Sequence, residues 1–172
     1  MGSVFKIEIK FRLGEKEDLD DIMKIFQRAI CEMEKEGIYQ WDSLYPNEEV
    51  LKGDLEKNEL YVGIYDGKIV SVYVLNQECY EQYKNGHWQY ENATFYVVHR
   101  LCVNYDFQHR GIGKKTMIHI ENELRKKNIE TIRLDAFSEN IYAIKMYEKL
   151  GYVNVGEANW RKGKFYLLEK KI

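Results

Sequence analysis

Cysteine and proline are scarce in this sequence, and the small number of cysteines limits which classes of protein it can belong to. The 172 residues include three cysteines and one proline. Cys31, Cys79 and Cys102 are odd in number and lack the spacing of zinc ligands, which argues against a disulfide framework and against a metal site. We therefore expect a chain without a bound metal that works in a reducing compartment, with the cytoplasm as the default location.

Long apolar runs and an excess of charge of one sign are also missing. No apolar run approaches the length of a membrane span, and the first residues lack the apolar region of a signal peptide. Lys and Arg number 26 against 28 Asp and Glu, a net charge of −2. No basic surface therefore indicates nucleic acid, and we expect neither a nucleic-acid nor a membrane partner.

Hydrophobic patterning predicts one α/β domain over residues 1–172. Seven segments are typical of strands, at 4–11, 60–65, 68–75, 93–103, 131–137, 152–160 and 164–170. Helical spacing predicts one helix from Leu19 that stops at Gly37, and further helices at 48–57, 114–127 and 140–150. Residues 76–92 form a polar, tyrosine-rich insertion, interpreted as an extended hairpin connection.

A glycine-rich turn at 108–113 joins the longest predicted strand to the helix that follows it. Such a turn presents several backbone N–H groups at the positive end of the helix dipole, where a pyrophosphate can bind. Gly111 and Gly113 allow a ligand to approach the backbone closely, and Arg110 or Lys114 can add charge. The turn lacks the Gly-Lys-Ser/Thr of a Walker phosphate loop and the third glycine of a Rossmann fingerprint, so neither nucleotide motif applies.

The pattern Q-x-x-G-x-G after a long central strand resembles the acyl-CoA turn of the GNAT N-acetyltransferase superfamily. A second pattern, N-x-x-A-x-x-x-Y-x-x-x-G-aromatic, is similar to that superfamily's other signature and comprises Asn140, Ala143, Tyr147, Leu150, Gly151 and Tyr152. The order of elements across the chain is similar as well. The resemblance implies a GNAT-like α/β fold, with a mixed, mostly antiparallel twisted sheet of six to seven strands, helices on both faces and a V-shaped gap at the cofactor.

The same resemblance implies that acetyl-CoA is the cosubstrate and that no second cofactor is needed. The pantetheine arm would lie along the central strand like an added strand, and the diphosphate would meet the amides of the turn. The residues assigned to acetyl-CoA in this way are Leu101, Cys102, Val103, Gln108, His109, Arg110, Gly111, Ile112, Gly113, Lys114, Asn140, Ala143 and Tyr147. Cys102 is not expected to act as a nucleophile, because no histidine is spaced to activate it.

The chemistry implied is direct attack of an amine on the thioester. Tyr147 is the expected acid for the leaving thiolate, because a tyrosine hydroxyl is ordinarily protonated at neutral pH; its alternative role is that of a core tyrosine. His99 is the catalytic candidate for the base, although it is also typical of a partly buried strand residue. Glu78, Glu91 or a chain of waters could serve instead, so the base stays open.

The acceptor is expected to be a primary amine of a small molecule or a peptide, and the fold does not choose between them. An aromatic loop that carries an acid suits an amine through cation–π contacts and ion pairing. The substrate-binding candidates are Trp41 and Tyr45 in that loop, Glu91 beside the insertion and Trp160 on the last hairpin. The insertion is expected to act as a lid or a dimer contact, which makes a homodimer possible.

Two alternatives belong to other classes of function. A non-catalytic sensor of acyl-CoA would keep the glycine-rich turn but would not need Tyr147. A protein-interaction domain would depend on the insertion and would gain no stability from coenzyme A.

Overall fold

A seven-stranded sheet forms the centre of the protein in the computed structural model, which describes residues 6–172. The strands are β1 (Lys10–Leu13), β2 (Leu60–Tyr65), β3 (Lys68–Asn76), β4 (Phe95–Val103), β5 (Thr131–Phe137), β6 (Val153–Trp160) and β7 (Gly163–Lys171). They lie side by side in the order β1-β2-β3-β4-β5-β7-β6. Within this sheet β4 and β5 run parallel and every other neighbouring pair is antiparallel, as the mixed, mostly antiparallel prediction requires.

Helices cover both faces of the sheet. The α-helices of residues 6–172 are α1 (Leu19–Lys35), α2 (Glu48–Glu56), α3 (Ile112–Lys126) and α4 (Ile141–Lys149). The apolar side of α1 packs in one core cluster with Val74 of β3, whereas α3 and α4 pack in another cluster with Tyr73. Because successive residues of a strand point to opposite faces, the two helix pairs lie on opposite sides of the sheet. The predicted fold class is confirmed.

The prediction of a first strand at 4–11 is wrong in its bounds. Residues 4 and 5 lie outside the described part of the chain, and the observed strand starts only at Lys10. Lys10 pairs with Ile64, and β2 ends one residue later at Tyr65, so β2 offers almost no strand with which the residues before Lys10 could pair. Ile7 and Ile9 instead pack against the cluster of Val70, Phe107 and Ile112. Their alternation reflects this contact and not a β-ladder.

The parallel pair β4 and β5 separates halfway along its length. Pairing runs from Phe95 with Thr131 to Val98 with Leu134 and then stops. Beyond that point β4 stays paired with β3 as far as Val103, and β5 stays paired with β7 as far as Phe137. The two strands therefore enclose a V-shaped gap, as predicted, and one edge of each strand is left without a neighbouring strand.

A bulge in β4 lies at the start of this gap. The pairing shifts between Val72 and Val74 of β3, and Arg100 of β4 has a φ of 50°, in the left-handed region that residues with a Cβ rarely adopt. His99 and Arg100 both contact Tyr80, although adjacent residues of a regular strand point to opposite faces. The bulge thus places two adjacent polar side chains on one face of the sheet.

The insertion between β3 and β4 packs on the sheet. It contains a short 3-10 helix, Glu81–Asn85, and its Tyr83 ring is buried in a cluster with Val97, Val155 and Leu167. The backbone N–H of His87 donates to the Val155 carbonyl at 2.7 Å. These contacts make the insertion part of the core that covers β6 and β7.

Candidate active site

The backbone N–H groups of residues 109–114 have no hydrogen-bond acceptor within the described part of the chain. The residue before α3 is Gly111, whose φ of 71° is left-handed. The first hydrogen bond of the helix joins the Lys115 N–H to the Gly111 carbonyl at 3.0 Å, so the amides before it stay unpaired at the positive end of the helix dipole. A run of free donors at such a position suits an anion, and phosphate above all.

A cleft of about 490 Å³, here termed the turn-side cleft, leads from this turn along β4 to α4. It is lined by most of the residues that the sequence assigned to acetyl-CoA: Leu101, Cys102, Val103, Gln108, His109, Gly111, Ile112, Gly113, Lys114, Asn140, Ala143 and Tyr147. Arg110 is the exception, because its guanidinium lies over the Phe107 ring, 5.2 Å from the ring centre. The opposite wall comes from α1 and includes Ala29, Glu32 and Met33, which no sequence motif had indicated.

A second cleft of about 500 Å³, here termed the hairpin-side cleft, lies beneath the β6–β7 hairpin. Its polar and aromatic lining comprises Gln40, Trp41, Tyr45, Tyr80, Gln82, His99, Arg100, Asp135, Phe137, Asn140, Tyr147, Trp160, Arg161, Lys162 and Phe165. Six residues line both clefts: Gln40, Trp41, Leu101, Asn140, Ala143 and Tyr147. The two clefts therefore meet between the end of β4 and the start of α4, so a group bound in one can reach a group bound in the other.

Asn140 connects this junction to the loop after α1. Its side-chain oxygen accepts a hydrogen bond from the Ala143 N–H at 3.2 Å, which caps the N-terminus of α4. Its side-chain nitrogen donates to Gln40 Oε1 at 2.8 Å. Both ends of the amide are thus occupied within the protein, so Asn140 fixes the position of α4 against the Gln40 loop.

Tyr147 lies at the junction of the two clefts and is 6% exposed. No described residue forms a hydrogen bond with its hydroxyl, although its ring packs edge-on against Tyr152. Burial, and to a lesser degree the charge of Asp135, raises the pKa of Tyr147. The hydroxyl is therefore protonated at neutral pH and free to donate to a ligand.

Arg100 joins three segments around the hairpin-side cleft. Its guanidinium binds the Asp54 carboxylate of α2 through two hydrogen bonds, from Nε at 2.8 Å and from Nη2 at 2.6 Å. Nη1 donates to the hydroxyls of Tyr45, at 2.7 Å, and of Tyr80, at 3.2 Å. The side chains of Arg100 and Asp54 are only 8% and 9% exposed. This buried ion pair holds the loop after α1, the insertion and the bulge of β4 in one arrangement.

His99 is held as a neutral side chain. Its Nε2 lies 2.9 Å from Asn76 Oδ1, while the Asn76 side-chain nitrogen donates to Glu59. That second bond turns the Asn76 oxygen toward the ring, so Nε2 is the donor and carries the proton. Burial, with the nearby charge of Arg100, lowers the pKa of His99 to about 4. These contacts favour a structural role and make His99 a weak base.

Asp135 supplies the negative charge of the hairpin-side cleft. Among the described residues that line this cleft, Asp135 is the one with an acidic side chain. Its Oδ2 accepts a hydrogen bond from the Tyr83 hydroxyl at 2.6 Å. Burial raises the pKa of Asp135 to about 6, although Tyr83 and Arg100 oppose this shift. The carboxyl is therefore ionised above about pH 6 and neutral below it.

Two cations lie at the hairpin end of the same cleft. Arg161 binds the Asp42 carboxylate through two hydrogen bonds, at 2.7 and 2.9 Å, and Lys162 approaches the same carboxylate at 3.3 Å. The side chain of Arg161 is 53% exposed. Two positive charges share one negative charge, so this rim keeps an excess of positive charge.

The predicted substrate residues do not all reach the clefts. Trp41, Tyr45 and Trp160 line the hairpin-side cleft, but Glu91 does not. Glu91 precedes β4 at the end where β4 and β5 are still paired, whereas the clefts open beyond the last pair. Glu78 is likewise exposed and forms an ion pair with Lys57 at 3.5 Å.

Arg100 and Asp135 are cleft residues that sequence reasoning missed. Each is a charged residue inside a strand that is otherwise largely apolar, and this was the available signal. Burial of a charge usually demands a partner, so such a position is a candidate for a functional or structural ion pair. The identity of the partners, Asp54 and Tyr83, depends on contacts over 46 and 52 residues of sequence.

The acetyltransferase (GNAT) family model matches residues 22–152, which is most of the chain. The chain therefore belongs to the GNAT family of acetyltransferases. The prediction of an N-acetyltransferase from two sequence signatures is confirmed, and acetyl-CoA is the acyl donor that this family uses.

Particular relatives resemble the chain over nearly its whole length. It is 24% identical over 166 residues to the S-(2-succino)cysteine N-acetyltransferase of Bacillus subtilis strain 168, a match that covers 94% of each chain. A GNAT-family acetyltransferase from Streptococcus agalactiae 2603 has a similar fold, with a TM-score of 0.82, 22% identity and coverage of 97% of this chain and 99% of that one. The PaiA N-acetyltransferase of Thermoplasma acidophilum, solved with coenzyme A, has a TM-score of 0.68 at 18% identity, over 96% of this chain and 100% of that one.

The buried ion pair of Arg100 should be worth far more to stability than the exposed pair of Arg161, although both are bidentate. Arg100→Gln leaves the Asp54 carboxylate buried without its partner, so we expect a loss of about 3–5 kcal/mol in the free energy of unfolding. Arg161→Gln is the matched control and should lose much less, because water screens its partner. Urea denaturation of both variants at pH 7.5 measures the difference, and equal losses would contradict it.

Proposed function

We propose that this protein binds acetyl-CoA in the turn-side cleft and transfers the acetyl group to a primary amine bound in the hairpin-side cleft. The observation that carries this proposal is the run of unpaired amides at 109–114 at the mouth of a cleft that leads to Tyr147. The diphosphate lies on these amides, because they are preorganised donors at a helix N-terminus. The pantetheine arm follows the edge of β4 that has no neighbouring strand, where backbone groups can pair with it.

Tyr147 acts as the general acid in this proposal. Its hydroxyl is protonated and has no partner among the described residues, and it lies where the two clefts meet. The nitrogen of the acceptor attacks the thioester carbon, the carbon–sulfur bond breaks, and the Tyr147 proton passes to the departing sulfur. Backbone N–H groups along the open edge of β4 can stabilise the charge that develops on the carbonyl oxygen.

The acceptor is proposed to be a small amine that carries a carboxylate. The hairpin-side cleft is enclosed by aromatic rings, those of Trp41, Tyr80 and Trp160, which suits a small molecule better than an extended peptide. The excess positive charge of Arg161 and Lys162 at its rim can bind an acidic group. The B. subtilis relative acts on S-(2-succino)cysteine, an amine of this kind.

Coenzyme A should bind with measurable heat in isothermal titration calorimetry. Pantetheine, which lacks the diphosphate, should bind about a hundredfold more weakly or worse, because hydrogen bonds to charged groups contribute roughly 1.5–3 kcal/mol each. In the protein, a Cβ at Gly113 would lie 2.9 Å from Met146 Sδ, so Gly113→Val should weaken coenzyme A binding by about tenfold or more. Gly53→Val is the control, because a Cβ at Gly53 meets nothing within 4 Å. Equal affinities for coenzyme A and pantetheine would refute the assigned diphosphate site.

Tyr147→Phe should lower kcat by about a hundredfold while leaving coenzyme A affinity nearly unchanged, because only the acid is removed. Tyr65→Phe, which deletes a hydroxyl outside both clefts, is the matched control. Release of free thiol from acetyl-CoA measures turnover. A wild-type protein that binds coenzyme A but turns over no amine would favour the sensor alternative, and an unchanged kcat in the variant would remove Tyr147 from the reaction.

Among candidate acceptors, S-(2-succino)cysteine and other amino acids with a second carboxylate should have a higher kcat/KM than spermidine or a peptide that begins with alanine. The physical reason is the positive rim of the hairpin-side cleft. Arg161→Gln should therefore raise KM for the acidic acceptors and leave KM for acetyl-CoA unchanged. A preference for spermidine, or no effect of Arg161→Gln on KM for acidic acceptors, would contradict this acceptor class.

A further inference from the structure

Asp135 occupies a distinctive position in the sheet. The last paired residues of the parallel strands are Val98 and Leu134, so Asp135 is the first residue of β5 beyond the point where the strands separate. Its side chain lines the hairpin-side cleft together with Tyr147, which lies at the junction with the turn-side cleft. The carboxylate of Asp135 therefore belongs to the cleft from which an acceptor would reach the thioester.

The Asp135 carboxylate keeps one oxygen available to the cleft. Oδ2 accepts the hydrogen bond from Tyr83, and no other side chain among residues 6–172 donates a hydrogen bond to the carboxylate. Oδ1 is also absent from the buried, unpartnered atoms of the described chain, which are Arg133 Nε and Glu169 Oε1. It is therefore in contact with the cleft and can accept a hydrogen bond from an ammonium group.

The other charged or basic groups that face Asp135 are already engaged. On β4, Arg100 is paired with Asp54 and His99 is neutral and bonded to Asn76. Tyr147 on α4 and Tyr83 in the insertion are both protonated, since burial raises the pKa of each. From the β6–β7 hairpin, Arg161 and Lys162 are bonded to Asp42. Asp135 is thus the anionic group of this cleft that no cation among residues 6–172 neutralises by direct contact.

We infer that Asp135 binds the ammonium group of the acceptor and takes from it the proton that must leave before nitrogen can attack, with Tyr83 as the residue that positions it. This inference rests on the proposed function and adds the base that the sequence left open. A carboxyl that titrates near neutrality accepts a proton from an ammonium more readily than an ordinary, strongly acidic one.

The proton balance of this reaction is complete without another reactant. The ammonium gives one proton to Asp135, and the neutral nitrogen forms its bond to the thioester carbon. When the carbon–sulfur bond breaks, the sulfur receives the proton of Tyr147, and the second proton of the nitrogen returns to the Tyr147 oxygen. Asp135 then releases its proton to solvent, so the products are the acetylated amine, coenzyme A and one proton.

The pH profile of kcat/KM with the best acceptor of the amine panel tests this inference. In the wild-type protein kcat/KM should be level between about pH 6 and the pKa of the acceptor amine, because ammonium is the form that binds, and should fall below pH 6 as Asp135 is protonated. Asp135→Asn should lower kcat/KM at pH 7.5 by about a hundredfold or more. In this variant kcat/KM should also rise steadily with pH over the range in which the wild-type profile is level, because only the free amine can then react.

The variant Tyr83→Phe tests whether Tyr83 positions the Asp135 carboxylate or only supports the fold. Loss of its hydrogen bond removes an interaction that lowers the pKa of Asp135, so the acidic limb of the profile should move to higher pH, while kcat/KM at pH 8 stays close to that of the wild type. A merely structural role would lower activity equally at all pH values. Asp66→Asn, the same substitution in the exposed turn between β2 and β3, should leave the profile unchanged.

Two further measurements show whether Asp135→Asn still folds and still binds coenzyme A, so that a loss of activity can be assigned to the missing carboxylate. Calorimetry should give the same coenzyme A affinity for Asp135→Asn as for the wild type, and its thermal midpoint at pH 7.5 should be no lower, because a neutral amide replaces a buried charge. Retention of wild-type kcat/KM by Asp135→Asn, or a wild-type profile that rises steadily through pH 6–9, overturns the role of Asp135 and leaves the proposed function intact. Absence of turnover in the wild-type protein with every amine would instead overturn the proposed function itself.

Discussion

The bidentate pair of Arg100 with Asp54 is the interaction on which the rest of the site depends. Arg100 lies in a bulge with a left-handed backbone, a conformation that is unfavourable for a residue with a Cβ. The bulge turns Arg100 to the same face as His99, and the buried carboxylate of α2 stabilises it there. Through Tyr45 and Tyr80 the same guanidinium holds two loops that wall the hairpin-side cleft. The end of β4 can then leave β5 and open the gap between the strands.

The electrostatics of the two clefts suit acyl transfer to an amine in complementary ways. Unpaired backbone amides at 109–114 give the turn-side cleft a positive end without any lysine or arginine being required. In the hairpin-side cleft most charges are already compensated within the protein, which leaves Asp135 inside and an excess of positive charge at the rim. Tyr147 lies between them as a neutral donor because burial disfavours its ionised form. A zwitterionic acceptor can match both signs of charge.

Local signals in the sequence predicted the fold well, and they failed where structure depended on distant partners. The strand at 131–137 has the predicted bounds, and the helix predicted at 114–127 is present, although it begins two residues earlier, at Ile112, directly after the left-handed Gly111. The first strand was predicted from an alternation that a segment packed on Phe107 also produces, since Ile7 and Ile9 are partly buried against a cluster and do not belong to a ladder. His99 is a candidate for the base by residue type, but burial lowers its pKa to about 4 and its Nε2 is engaged with Asn76, so the structure makes it a weak base, a property that residue type alone does not reveal.

The sequence by itself determined the α/β class, the glycine-rich turn and the family signature at Asn140 and Tyr147, because each of these depends on residues that are close together in the chain. Only the tertiary structure decided which charged side chains of the clefts are left without a full partner of opposite charge. Arg100 is neutralised by Asp54, Arg161 and Lys162 share the single charge of Asp42, and Asp135 is held by a tyrosine rather than by a cation. These pairings join residues tens of positions apart, and the folded chain sets their distances and their removal from water. The strength of a charge depends on those two quantities, which no local pattern encodes.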